Sequence, residues 1–252
     1  MDFDGDSVTC DQFLDGALTV LQPRDGYRAA TDPVLLAAAV RATRDQSVLE
    51  LGCGVGVAAL CLWKRVGSCD LTGVEIQPEY AAIAVENARL NGASLRVATA
   101  DITALPQEIT ARSYDHVMIN PPFFGANNGT RATNTGRETA FREVTPLSSW
   151  INIGIKRLKP KGFLTMIHLA ERLPDILALM HPRLGDIEVK PLTPRSGKAA
   201  SRVILRGRKG ARGRFLLYAP MVMHEGHAHD TDRDSTSSEA RLILRAGEAL
   251  EF

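Results

Sequence analysis

From Ser47 onward, short continuous apolar runs alternate with longer stretches whose apolar positions recur at helical spacing. The runs Ser47–Leu51, Asp70–Glu75, 95–98, Tyr114–Ile119 and 163–169 are predicted strands. Val57–Val66, Pro78–Leu90 and 146–158 are predicted helices, the second closed by Asn91-Gly92 as a C-terminal cap. Leu173–Met180 is predicted helical, 187–189 and 203–205 are short later strands, and 239–245 is a last helix. Strands buried on both faces and joined by helices predict an α/β fold with a mostly parallel sheet. Residues 1–45 read as an extension packed on a main domain of residues 46–252. Within the extension, Asp15-Gly16 predicts a hairpin turn. Thr31-Asp32-Pro33 predicts a helix start, with a capping side chain just before proline.

The first predicted strand ends in Glu50-Leu51-Gly52-Cys53-Gly54-Val55-Gly56. Glycines between a strand and a helix permit a tight turn and close approach of a ligand to the backbone. Glu75 ends the next strand, where a carboxylate can take both hydroxyls of a ribose, and Asp101 follows the third, within reach of an adenine amine. A nicotinamide dinucleotide is the rival ligand. The spacing is not GxGxxG, however, and Glu50 beside the glycines would repel a pyrophosphate while suiting a ligand with a cationic amino-acid end.

The fourth predicted strand ends in Asn120-Pro121-Pro122-Phe123. Proline cannot continue a ladder, so these residues sit at the carboxyl edge, where open α/β sheets bind ligands. Such a corner can grip a flat amine. The Asn120 and Pro121 carbonyls accept its two hydrogens, and Phe123 stacks on its plane.

Net charge is +1, so bulk charge announces no polyanionic partner. Basic residues are nonetheless concentrated. Arg131, Arg137 and Arg142 lie in a polar loop after the tetrapeptide, and residues 190–214 hold nine basic residues and no acidic one. Arg195, Lys198, Arg202, Arg208 and Lys209 are the phosphate-binding candidates of that run. The four cysteines form no CxxC pair and read as reduced thiols. No apolar stretch approaches the ~20 residues of a membrane span, and the acidic start is unlike a signal peptide. The expectation is a soluble cytoplasmic protein. His227 and His229 lack an established ligand spacing, so no metal is expected.

The glycine turn, with Glu75 and Asp101, resembles motif I and its partners in class I S-adenosylmethionine-dependent methyltransferases. The likeness spans residues 47–169. It implies a Rossmann-like seven-stranded sheet with a terminal antiparallel hairpin. It also implies S-adenosylmethionine bound by Asp32, Glu50, Gly52, Cys53, Gly54, Gly56, Glu75, Ile76, Asp101, Ile102 and Asn120. The tetrapeptide resembles that of amino-methyltransferases acting on adenine, guanine or a glutamine amide. Residues 22–36 resemble the opening of the bacterial valine-tRNA adenine-N6 methyltransferase family, in which Tyr27 to Asp32 would close over cofactor and target. The implied activity is N6-methylation of an adenosine in structured RNA, with tRNA favoured and a monomeric enzyme expected. Protein glutamine-N5 methylation, rRNA guanine-N2 methylation and non-catalytic RNA binding stand as alternatives.

Overall fold

A computed structural model describes residues 7–123, 145–226 and 235–252. The chain opens with an antiparallel hairpin, β1 (Val8–Phe13) and β2 (Leu18–Pro23), followed by helix α1 (Thr31–Ala39). Alternation then begins with β3 (Ser47–Leu51), α2 (Val57–Val66), β4 (Asp70–Glu75), α3 (Pro78–Leu90) and β5 (Leu95–Thr99). A short α4 (Gln107–Thr110) precedes β6 (Tyr114–Ile119), and α5 (Leu147–Arg157) precedes β7 (Leu158–Leu169). Helix α6 (Leu173–Met180) leads to β8 (Leu184–Arg195) and β9 (Arg202–Lys209). The segments β10 (Leu216–Leu217) and β11 (Met221–His224) and helix α7 (Ser238–Ala246) complete the chain.

The large sheet runs β10-β8-β9-β7-β6-β3-β4-β5, with β11 also on β8. Among the described strands of this sheet only β9 is antiparallel to its neighbours. The α/β expectation holds, with a difference in strand count. Nine segments replace seven because β10 and β11 form one interrupted edge strand along β8. The break explains how β8 contains Pro191. On its outer side the register passes from Val189 to Leu192, so the missing N–H of Pro191 faces a gap between edge segments.

Alternate residues of each strand feed two cores. Val48, Leu71, Met118 and Ile204 pack with α1, α2, α3 and α7, while Leu49, Val74, Val117 and Leu205 pack with α5 and α6. At the foot of the sheet Asp115 accepts from the Ser47 N–H and hydroxyl and from Lys159 Nζ, at 2.9, 2.7 and 2.8 Å. These bonds overcome partial burial and hold its pKa down at about 2. Among the described residues no helix is long and apolar enough to cross a membrane.

The N-terminal hairpin is fixed by two amides one turn apart, Asn87 within α3 and Asn91 at its C-cap. Asn91 accepts from Thr19 N and donates to Thr19 O, at 3.0 and 2.7 Å. Asn87 accepts from Leu21 N and donates to Leu21 O, at 2.7 and 3.0 Å. The amides thus imitate a neighbouring strand for β2. Gly92 takes φ +66° and lets the helix end as expected, with Ala93 N reaching Ala88 O at 2.8 Å. The expected cap of α1 is not found. Ala30 is its N-cap, with no side-chain bond, because Thr31 and Asp32 already lie inside the first turn.

Asn87 is fully buried and carries a third bond, to Val55 O at 2.9 Å. Asn87→Ala should cost about 3 kcal/mol, since it leaves buried backbone groups unpaired, and urea unfolding should show the lowered midpoint. His116 and His168 are buried, and desolvation first of all lowers both pKa values to about 4. Their neutral forms therefore stabilise the fold fully above pH 6.5, and that contribution is lost as pH falls from 6.5 toward 4. Unfolding followed across that window should show stability declining with acidity, with a shallower slope in His116→Gln.

Candidate active site

Strand β3 lies between β4 and β6, so the chain turns to opposite sides of it, and a crevice opens at the carboxyl ends. Leu51 and Ile119 are register partners. The glycine turn and the Asn-Pro-Pro-Phe exit therefore leave the sheet side by side. Tyr27, Glu50, Gly52, Cys53, Gly54, Val55 and Asn120 line one cleft there, with Ala29 and Pro33.

The turn after β3 is held from outside. Gly52 N and Cys53 N donate to Val74 O at 2.8 and 2.9 Å. Gly54 N donates to Glu75 Oε2 at 2.9 Å, and Gln77 N to Glu75 Oε1 at 2.9 Å. Glu50 Oε2 accepts from Ala59 N in the first turn of α2 at 3.1 Å, where the helix presents unpaired donors. Burial raises the Glu50 carboxyl well above the usual range, nearby Glu75 adds to the rise, and the Ala59 bond opposes it. Burial likewise raises the Cys53 thiol, with Glu50 and Glu75 adding to the effect, so Cys53 sits in the cleft wall as a neutral thiol.

The motif glycines divide their work. A β-carbon at Gly52 would strike Trp150 at 2.8 Å, and Gly56 is tight against Leu95 and Ala84 at 3.3 and 3.4 Å. Gly54 has φ +53° and nothing within 4 Å of where its β-carbon would lie, so its face is open to a ligand. Ile76 is 42% exposed directly after β4, whereas Ile102 is buried. Asp101 Oδ1 caps the turn that follows it, accepting from Thr103 N at 2.8 Å.

At the other wall Pro121 is buried and Pro122 exposed. The Phe123 ring meets His168 edge-on, with centroids 5.2 Å apart, and lies 4.7 Å under the Arg202 guanidinium. Arg202 also pairs with Asp32 at 3.1 Å. Asn120 and Tyr27 line the same cleft. The Tyr27 phenol is pushed up to about 12, first by desolvation of its inner end and then by Asp32 and Glu50.

The basic run 190–214 does not form one surface. Arg202 pairs with Leu169 at the carboxyl edge, but Arg208 pairs with Phe163 and Lys209 with Leu184 at the opposite edge, about 20 Å along the strand. Lys209 donates to Ile155 O and Leu158 O at 2.9 and 2.7 Å, closing the end of α5. Arg208 donates to Lys161 O at 3.2 Å and stacks near Phe163. Arg195 is buried and grips the carbonyls of Glu225 and Gly226. Arg195, Arg208 and Lys209, read from the sequence as phosphate ligands, thus each have partners within the protein, and Arg208 and Lys209 lie on the edge away from the cleft. Lys198 is exposed in the β8–β9 turn, on the edge that carries the cleft. Arg131, Arg137 and Arg142 and the histidines at 227 and 229 lie outside the described residues.

Sequence reasoning gave His168 no part in the site. Its one signal is a lone imidazole interrupting an apolar run at the carboxyl end of β7.

A family model, the methyltransferase small domain, matches residues 30–146. The tRNA1(Val) (adenine(37)-N6)-methyltransferase of Actinobacillus succinogenes is 31% identical over 190 residues, which cover 72% of this chain and 77% of the relative. A predicted O-methyltransferase structure from Agrobacterium tumefaciens matches with TM-score 0.69 at 24% identity, over 87% of this chain and 98% of that one. A T. thermophilus 16S rRNA N2 methyltransferase, solved with AdoMet and guanosine, matches with TM-score 0.57 at 19% identity, over 80% of this chain and 50% of that one. The two structures speak for the fold.

Gly54→Ala places a methyl group in the open space and forces a left-handed backbone on alanine. S-adenosylmethionine affinity, measured calorimetrically, should fall about tenfold or more, equivalent to ~1.4 kcal/mol.

Proposed function

We propose, from the premise that this chain belongs to the class I S-adenosylmethionine-dependent methyltransferases of the methyltransferase small-domain family, that it methylates N6 of an adenosine in structured RNA, tRNA being the favoured substrate. The observation that carries the reading is the shared cleft: Asn120 and the Gly52–Gly54 turn line the same recess.

The residues present fit the cofactor. Gly54 leaves an open approach to the backbone, Ile76 offers an exposed apolar surface beside Glu75, and Glu50 offers a carboxylate in the floor. Glu75 and Asp101 are the expected ligands of the ribose and the adenine, each with its carboxylate already oriented by backbone N–H groups. When bound, S-adenosylmethionine supplies an electrophilic methyl group on a positively charged sulfur.

The acceptor chemistry falls to Asn120, Pro121 and Phe123. An exocyclic adenine amine is a poor nucleophile because its lone pair is delocalised into the ring. Two carbonyl acceptors, Asn120 Oδ1 and the Pro121 oxygen, draw its hydrogens out of the ring plane and return the lone pair to nitrogen. Phe123 stacks on the base and fixes its plane. His168 and Arg202 keep the Phe123 ring itself from turning. Positioning and preorganised dipoles then carry the reaction. The target base must leave its stack to enter the cleft. Lys198 on the cleft edge, with Arg131, Arg137 and Arg142 of the sequence loop, are the proposed phosphate contacts.

Incubation with labelled cofactor and unmodified total tRNA, followed by nucleoside analysis, should yield N6-methyladenosine. Labelled N2-methylguanosine, or label found only in a protein glutamine, would overturn the substrate assignment. Asn120→Ala should cut turnover at least tenfold while S-adenosylmethionine affinity stays within about twofold, the pattern of a contact made chiefly in the transition state.

A further inference from the structure

We infer that Arg202 is a positioning residue: anchored on the Asp32 carboxylate, its guanidinium covers one face of Phe123, sets the plane of that ring and leaves the other face to the substrate base. The inference rests on the proposed stacking role of Phe123, and it gives Asp32 a task on the acceptor side of the cleft.

Phe123 needs a hold from outside. Strand β6 ends at Ile119, and the ring follows after Asn120 and two prolines. It is partly exposed and belongs to neither apolar core. A phenyl ring so placed is free to turn about its side-chain torsions. A ring that receives a base serves as a platform only when its plane is set before the base arrives. The contacts that can set it are polar ones. His168 meets the ring edge-on with centroids 5.2 Å apart, and the Arg202 guanidinium carbon lies 4.7 Å over its centre.

Arg202 is built for the part. It opens β9 and pairs in register with Leu169 at the carboxyl edge of the sheet. A guanidinium donates around its rim and is weakly hydrated on its faces, so it can bond in its plane and stack at the same time. Nε donates to Asp32 Oδ2 at 3.1 Å, and Nη1 donates to Ser201 O at 3.3 Å. Two bonds on the rim fix the plane, and the plane in turn constrains the ring beneath it. Asp32 lies in the first turn of α1, where a carboxylate suits the helix dipole. The pair thus ties the start of α1 to the start of β9, 170 residues apart. The two side chains are 31% and 21% exposed, so their pairing adds little to stability. Its consequence is the direction given to the guanidinium.

The test compares Arg202→Lys, Asp32→Asn, Phe123→Leu and the double variant Arg202→Lys/Phe123→Leu, with unmodified tRNA as acceptor. Lysine keeps the charge beside Asp32 and loses the planar face. The kcat of Arg202→Lys should fall about fivefold or more, with KM for tRNA, the salt dependence of KM, the melting temperature and calorimetric S-adenosylmethionine affinity essentially unchanged. Asp32→Asn loosens the anchor and should lower kcat about threefold or more, with cofactor affinity within about twofold of wild type. In Phe123→Leu no aromatic face remains, so adding Arg202→Lys should cost less than about twofold. A wild-type kcat in Arg202→Lys would overturn the inference. So would a loss carried by KM for tRNA, the mark of a phosphate ligand, or an equal penalty with and without Phe123. A roughly tenfold loss of cofactor affinity in Asp32→Asn would make Asp32 a cofactor ligand and overturn its role as anchor. Should Phe123→Leu prove inactive, the two single variants decide. If Asn120→Ala retains turnover, the proposed chemistry fails; if Asn120→Ala loses turnover and Arg202→Lys does not, that chemistry stands and the positioning role fails.

Discussion

The turn between β3 and α2 has no ladder or helix of its own, so its shape depends on hydrogen bonds from neighbouring elements. Glu75 takes the N–H of Gly54, Val74 takes those of Gly52 and Cys53, Glu50 takes that of Ala59, and Asn87 gives to Val55. Each tie begins on a different part of the fold, on β3 itself, on β4 or on α3. A backbone so determined can keep three glycines in left-handed conformations, where flexible chain would otherwise be expected. The open face of Gly54 is the product of that constraint.

Asn87 links this turn to the N-terminal hairpin, because the same amide that holds Val55 also pairs with Leu21. The hairpin in turn fixes Ala29 through Gln22 and the Tyr27 carbonyl lies under Tyr80. The two walls of the cleft are therefore mechanically joined through α3. A displacement of the hairpin would be felt at the glycine turn as well as at Tyr27. The extension has two short strands and its own tip at Leu14, Asp15 and Gly16, yet its inner residues Leu18 and Val20 belong to the main core.

Much of this was legible because buried parallel strands are apolar throughout and stop at glycine or proline. Ser47–Leu51, Asp70–Glu75 and Tyr114–Ile119 end where the sequence placed them. The later strands were not legible in length. Arg202, Arg206 and Arg208 interrupt the apolar pattern of β9, yet Arg206 is almost fully buried, paired with Glu188 at 3.0 Å and covered by the Phe252 ring. A cation neutralised in the interior looks in sequence like a surface cation. The same ambiguity made the basic run look like one phosphate-binding tract. Strand geometry instead sends its members to opposite edges and opposite faces. Proline in β8 hid that strand for a related reason: the break in its edge partner is visible only once the register is known.

Charge separates the cleft from its rim. The floor carries Glu50, with Glu75 and Asp32 nearby, an acidic lining that offers a phosphate no favourable contact. A carboxyl whose pKa is raised by burial regains its charge when a cation comes within reach, so Glu50 and a cationic ligand stabilise one another. Asp32 is already partly answered by Arg202, whose guanidinium also covers Phe123. Lys198 stands exposed on the rim of the same edge, so an anionic group finds a favourable contact there and not in the acidic recess. The division needs no steric barrier. It follows from placing acids at the ends of β3 and β4 and a lysine, Lys198, in the β8–β9 connection on the same edge.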